Sequence, residues 1–361
     1  MDGECMNQKQ NNKESLIWCK ISTSEIKELI NFLMNDGKVY APHKKGESSF
    51  SFEEVADAND VVLDYSRTIL PLKKFFIPPR ETILSFNRSE NSFQKPKIEN
   101  PNRYFFAVHS YDMQAILRLD YSFSKGEPEY NYLTRRENST FIGITYDPDE
   151  YHFSKSVGIA LEDMTGFSLF IELKDDESVI FAVDDEGRDI LKRFGKTDFE
   201  EGTYEFPEKH FSAKLKYHYN RLPKIFEKSY RSRVWDEVAE KCVGCGTCNL
   251  VCPTCYCFDV EDDVELDMTT GVRERHWDSC MLNDFAMVAG GENFRKEKSE
   301  RTRHRLHRKF KYITDHYGAP FCVGCGRCSK YCTAKISIVE IVNDLIKEFE
   351  EYEKVSLEEY K

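Results

Sequence analysis

The chain has 361 residues, and at roughly 150 residues per domain this suggests two or three domains, each able to bury a core. Hydrophobic residues make up 40% and charged residues 32%, with 12 Pro and 18 Gly, which excludes a disordered or collagen-like chain and predicts a soluble globular one. Lys and Arg number 51 against 63 Asp and Glu, and the net charge of −12 argues against nucleic acid or an anionic membrane as partner of the whole surface, leaving only a local basic patch.

The opening MDGECMNQKQNNKESLIW is too polar for the apolar region of a signal peptide, and no run approaches the roughly 20 apolar residues that span a bilayer, so a cytoplasmic location is expected. In that reducing compartment the 13 cysteines read as metal ligands or redox groups, not disulfides. Cys5 and Cys19 stand alone near the start and read as incidental; the others crowd between Cys242 and Cys332. This asymmetry places a boundary near Pro223, with residues 1–223 folding by burial alone, residues 224–347 metal-rich, and residues 348–361 an acidic C-terminal tail.

In the first region Ser22 with Glu25 predicts a capping box, Ile26, Leu29, Ile30 and Leu33 recur at helical spacing, and Gly37 stops the helix. The aromatic, β-rich runs Tyr104 to Val108, Phe141 to Tyr146, Phe167 to Leu173 and Val179 to Val183 predict strands. Between the first two, Asp112 is a candidate cap for a helix that turns Met113, Ile116, Leu117 and Leu119 toward the sheet. Strands interleaved with helices predict an α/β-type first domain. It carries no Gly-rich phosphate fingerprint, so a nucleotide site there has no sequence support. In the second region Trp235, Val238 and Ala239 form a short amphipathic stretch before the first cysteine group. From Asp284 the chain reads helical to His316, with a basic run from Arg295 to Lys311, and Ile338, Ile341, Val342, Leu345 and Ile346 stripe a last helix.

The pattern C-x2-C-x2-C-x3-C occurs twice, as Cys242, Cys245, Cys248, Cys252 and as Cys322, Cys325, Cys328, Cys332. Three thiolates at this spacing curl around one iron–sulfur cube, with Gly244, Gly246, Gly324 and Gly326 letting the backbone turn its amides inward. The fourth Cys of such a run ligates the other cluster in two-cluster ferredoxins. The spacing therefore predicts two [4Fe-4S] clusters, one on Cys242, Cys245, Cys248 and Cys332, the other on Cys322, Cys325, Cys328 and Cys252. Structural zinc favours paired C-x2-C knuckles instead. Thr333 stands where the second run would usually carry Pro, a change that removes no iron ligand. The separation of the runs is too long for a compact ferredoxin, which makes this an elaborated, helical ferredoxin-like dicluster domain; the chain as a whole is expected to be α+β. Cys255, Cys257 and Cys280 are candidates for a third metal site, completed by His276, by Asp259 or by a partner chain, against the simpler reading of small buried hydrophobes beside a cluster. The basic run reads as a solvated helix face, as a contact to the clusters or an acidic protein, or as a nucleic-acid patch.

The strings CVGCGTCNLVCPTCYCFDVEDD, RERHWDSCMLNDFAMVAGGENFR, RTRHRLHRKFKY and CVGCGRCSKYC resemble the beta subunit of soluble nickel-iron sulfhydrogenases and the corresponding iron–sulfur subunit of anaerobic sulfite reductases. The first half resembles the same family more loosely, through LPLKKFFIPPRETILSF, VHSYDMQAILRLD and YLTRREN. The resemblance implies a protein without substrate chemistry that relays electrons between a flavin subunit meeting NAD(P)H and a catalytic metallosubunit of hydrogenase, sulfite reductase or heterodisulfide-reductase type. Family members often carry cysteines where this chain has Tyr111, Tyr146, His152 and Ser154. If those cysteines hold an extra cluster in relatives, this chain has lost it, and residues 1–223 are a scaffold and docking domain. The alternative function is a self-contained flavin- or deazaflavin-dependent iron–sulfur reductase; a third reading is a regulatory iron–sulfur protein gripping nucleic acid through the basic run.

Overall fold

The computed structural model describes residues 15–359. Cys5 lies outside them. Twelve strands form two sheets among these residues: β1 (Leu16–Ile21), β2 (Lys38–Lys44), β3 (Phe50–Glu54), β4 (Arg80–Asn87), β5 (Ser92–Gln94), β6 (Arg103–Val108), β7 (Ser139–Ile144), β8 (Leu169–Glu172), β9 (Ser178–Ala182), β10 (Glu200–Gly202), β11 (Phe258–Val264) and β12 (Thr270–Trp277). The larger sheet runs β10-β1-β9-β8-β7-β6-β2-β3 and the smaller β11-β12-β4-β5. The helices are α1 (Thr23–Met34), α2 (Ser110–Ser124), α3 (Tyr130–Glu137), α4 (Asp185–Arg193), α5 (Leu222–Lys228), α6 (Val234–Lys241), α7 (Thr247–Leu250), α8 (Lys298–His307), α9 (Thr314–Tyr317), α10 (Arg327–Lys330) and α11 (Ile338–Glu359).

The four expected strands fall on β6 to β9, at the centre of the larger sheet. β6 pairs parallel with β2 and β7, and β7 parallel with β8. Every residue of β6 is buried, as the near-continuous apolar run RYFFAV requires of a strand covered on both faces. Phe105 stacks on Phe141 across the β6–β7 pair with centroids 5.1 Å apart. On α1 the Ser22–Glu25 capping box forms and Ile26, Leu29, Ile30 and Leu33 are buried. Asp112, however, does not cap α2. The helix starts two residues earlier, after an extended His109 that makes no side-chain cap, because Asp112 is drawn into the interior by a cation described below.

The sheets and cores cross Pro223, which sits in the first turn of α5. β12, from the C-terminal part, pairs with β4 over Thr270 to His276. A second core joins Tyr111, Tyr146, Phe153 and Val157 to Trp235, Leu306, Phe310 and the stripe Ile338, Ile341, Val342, Leu345 and Ile346. The stretch from Asp284 to His316 is not one helix. A turn at Asp284–Ala286 gives way to a loop through Gly290 and Gly291, pinned by a Met287–Asn293 bridge, before Glu297 caps α8 with a capping box to Glu300. α8 then passes into a π-helical turn, Arg308–Tyr312, a widening often found at functional sites. The acidic residues after Glu348 continue α11 as far as Glu359. Among the described residues no helix is long and apolar enough to cross a membrane.

Candidate metal centre

The two cysteine runs are local copies of one another. After α6 the chain extends at Cys242, turns through left-handed Gly244 and Gly246 (φ 73° and 76°), and enters the one-turn helix α7. The second run repeats this with Gly324 and Gly326 (φ 68° and 71°) and α10. Side chains rarely adopt these angles, and a Cβ at Gly324 would also lie 2.5 Å from the Ser154 backbone. α7 and α10 pack against each other, so the repeats face one another.

This pairing mixes the runs. Cys242, Cys245 and Cys248 line one cavity together with Cys328 and Cys332. Hydrogen bonds with Thr247, chiefly, and a lesser one with Thr333 hold the pKa of the Cys245 thiol below the ordinary thiol value. Cys322, Cys325 and Cys252 are buried, and the Cys252 thiol lies within electrostatic reach of Cys325. Cysteines of both runs thus meet, with Cys328 and Cys332 beside the first run and Cys252 within reach of both Cys248 and Cys325. Burial pushes Cys322 up to about 12 and Cys325 and Cys248 up to about 11. Buried thiols of this kind ionise only against a compensating cation, so metal binding expels their protons.

Residues 241–336 match the 4Fe-4S dicluster domain family. Sulfhydrogenase 2 subunit beta of Pyrococcus furiosus is 36% identical over 337 residues, covering 91% of this chain and 98% of that protein. The chain belongs to the sulfhydrogenase beta-subunit family. No solved structure matches it. The dicluster domain makes this family member an iron–sulfur protein.

Its basic run is split by the helix period. Lys298, Arg301, Arg305 and Lys309 recur three or four residues apart and share one inward face. Lys298 donates to the Cys242 carbonyl (2.7 Å), and Arg305 donates to Asn249 Oδ1 (2.9 Å) and the Cys248 carbonyl (3.2 Å). Lys309, carried by the π turn, donates to Cys252 Sγ (3.0 Å) and Thr254 Oγ1 (3.1 Å). Burial lowers the Lys309 pKa, but the nearby Cys252 and Cys255 outweigh it and raise the pKa above the ordinary lysine value. Arg303 and Lys311 point elsewhere, Arg303 over Tyr230 and Lys311 toward Glu227 and Asp315. The run is therefore neither a uniform solvated face nor a uniform patch.

Several functional side chains carry no motif of their own. Lys73, in LPLKKFF, is buried, donates to the carbonyls of Cys255 (2.8 Å) and Asn249 (3.3 Å), and sits 4.3 Å over the Trp277 ring. Arg118 donates to the Pro320 carbonyl (2.8 Å), just before the second run. Tyr111, Tyr146, His152 and Ser154, dispersed in sequence, meet beside the second run. Their rings lie 5.1 to 5.3 Å apart, and the Tyr146 and Ser154 hydroxyls are 3.0 Å apart. The Phe153 amide between them donates to the Gly324 carbonyl (2.9 Å). Three packed rings and the Ser154 hydroxyl thus occupy the four positions where the family resemblance implies cysteine. Cys19 is buried in β1, inside the first core.

Proposed function

We propose that this chain is the iron–sulfur electron-transfer subunit of an oxidoreductase complex, with [4Fe-4S] clusters on Cys242, Cys245, Cys248 and Cys332 and on Cys322, Cys325, Cys328 and Cys252. The observation that supports the reading is one cavity lined by Cys242, Cys245 and Cys248 of the first run together with Cys328 and Cys332 of the second. The donor chemistry fits, since eight soft thiols stand at the ferredoxin spacing and inward cations offset the charge of thiolate-bound clusters. When bound, such clusters accept and release single electrons at nearly fixed geometry. The chain's own residues bury Cys252, Cys322 and Cys325 and supply the Lys309 and Arg305 charges that favour the more negative reduced state.

A two-electron donor such as NAD(P)H must then be split elsewhere, most simply by a flavoprotein subunit, and the terminal chemistry belongs to a catalytic metallosubunit. The relative's name places it in a multi-subunit hydrogenase, which supports the subunit reading over a self-contained flavin or deazaflavin reductase. Isolation of the native complex tests this. A flavoprotein and a metalloprotein should co-purify, and the chain alone should take no electrons from NAD(P)H. A lone yellow monomer that oxidises NAD(P)H would promote the self-contained reductase.

A further inference from the structure

Cys255, Cys257 and Cys280 remain outside the eight assigned ligands. The β11–β12 hairpin leaves from Cys257 and returns to Cys280, its base closed by the Asp278 amide donating to the Cys257 carbonyl (3.0 Å). Asn249 Nδ2 lies 3.0 Å from Cys280 Sγ and 3.9 Å from Cys257 Sγ, so the two thiols face one amide. The three cysteines line a cavity of about 380 Å3, whose other walls include Arg295, His304, Arg305, Arg308 and Lys309. Phe258, also in its lining, is exposed.

His276 and Asp259 do not line this cavity. They face each other across the hairpin, and His276 Nε2 points to Glu261 and Glu274 at 4.0 and 3.9 Å. His304 on α8 does line it, and its imidazole makes no hydrogen bond among the described residues. Three soft thiols, one unpartnered imidazole and four cations around a single cavity form a donor set for an anionic, sulfur-loving guest. Among the described residues no three such side chains converge on one point, here or at the paired runs. A mononuclear ion needs that convergence, whereas a cubane takes each ligand at a separate iron corner.

We propose that Cys255, Cys257, Cys280 and His304 bind a third iron–sulfur cluster of the [4Fe-4S] type. It rests on the two-cluster reading for its role. Lys309 joins the cavity wall to Cys252, and Phe321, next to Cys322, lines the same wall. One electron would pass from the neighbouring reduced cluster to the third, with no bond made or broken.

The test uses full-length protein loaded anaerobically with ferrous iron and sulfide. Wild type should hold about twelve irons and C255S/C257S/C280S about eight, a loss of about a third. Equal iron in the two proteins overturns the third cluster, whatever the total. The iron remaining in the triple variant separately tests the paired runs, because fewer than about eight there counts against the two-cluster reading alone. His304→Ala keeps the cysteines and should give, on mild oxidation, the paramagnetic signal of a three-iron cluster absent from wild type, while His304→Cys should restore full iron without it. An unchanged spectrum in His304→Ala overturns the histidine ligand.

Discussion

Arg327 and Asp112 form a doubly hydrogen-bonded ion pair, both contacts 2.7 Å long, between the second cysteine run and the first turn of α2. Arg327 is 0% and Asp112 1% exposed. The guanidinium is completed by Thr68, whose carbonyl accepts from Nε at 2.8 Å and whose hydroxyl lies 3.0 Å from Nη2, and it lies 5.5 Å over the Tyr111 ring. The pair ties the loop holding Cys325 and Cys328 to the larger sheet, and it explains why Asp112 is unavailable as a cap.

Breaking this pair from one side leaves a buried charge uncompensated. Asp112→Ala should cost about 3–5 kcal/mol and release iron from the second site before the first. Asp112→Leu combined with Arg327→Met should cost less than either single change. Urea unfolding with iron analysis at each step measures both; an Asp112→Ala protein as stable as wild type would contradict the assignment.

Lys309 sets a charge against Cys252. Lys309→Met removes a cation that favours the more negative reduced state, so the midpoint potential of the second cluster should fall. Lys309→Arg should stay near wild type, and Arg303→Glu, outside the inward face, should change nothing. Redox titration followed by paramagnetic resonance reads the shift.

The proposed crossing of ligands makes Cys332→Ala specific. It should damage the cluster held by Cys242, Cys245 and Cys248, although those residues lie in the other run. Selective loss of the cluster at Cys322, Cys325 and Cys328 would refute the crossing.

The packed cluster beside the second run predicts a pH dependence. Burial holds His152 down at about 4, against 6.5 for a free histidine, despite the counteracting Asp149. Folded His152 stays neutral while the unfolded chain takes up a proton. The stability it contributes is therefore present above pH 6.5 and lost as pH falls toward about 4. Urea midpoints between about pH 5 and 7 should drop with acid, and His152→Phe should flatten that slope.

What was legible in the sequence was whatever short-range chemistry dictates. The two C-x2-C-x2-C-x3-C runs, the left-handed glycines inside them, the Ser22–Glu25 capping box and the aromatic strands β6 to β9 each follow from residues a few positions apart. The stripe on α11 follows from the helix period alone. Tertiary structure decided the rest, because it depends on contacts between residues far apart in the chain. The inward turn of Arg305 and Lys309 needed the helix phase relative to the cysteine loops, and Lys73 needed the chain beyond Pro71 to pass beneath Cys255. The break between Asp284 and Glu297 came from Gly290 and Gly291 outweighing helical neighbours. His304 replaced His276 at the three-cysteine cavity because strand pairing carries His276 to the acidic face of the hairpin, while α8 brings His304 over the thiols. Residue type specifies which donors are available; only the packing of remote segments, which buries charge against sulfur, determines which donors meet.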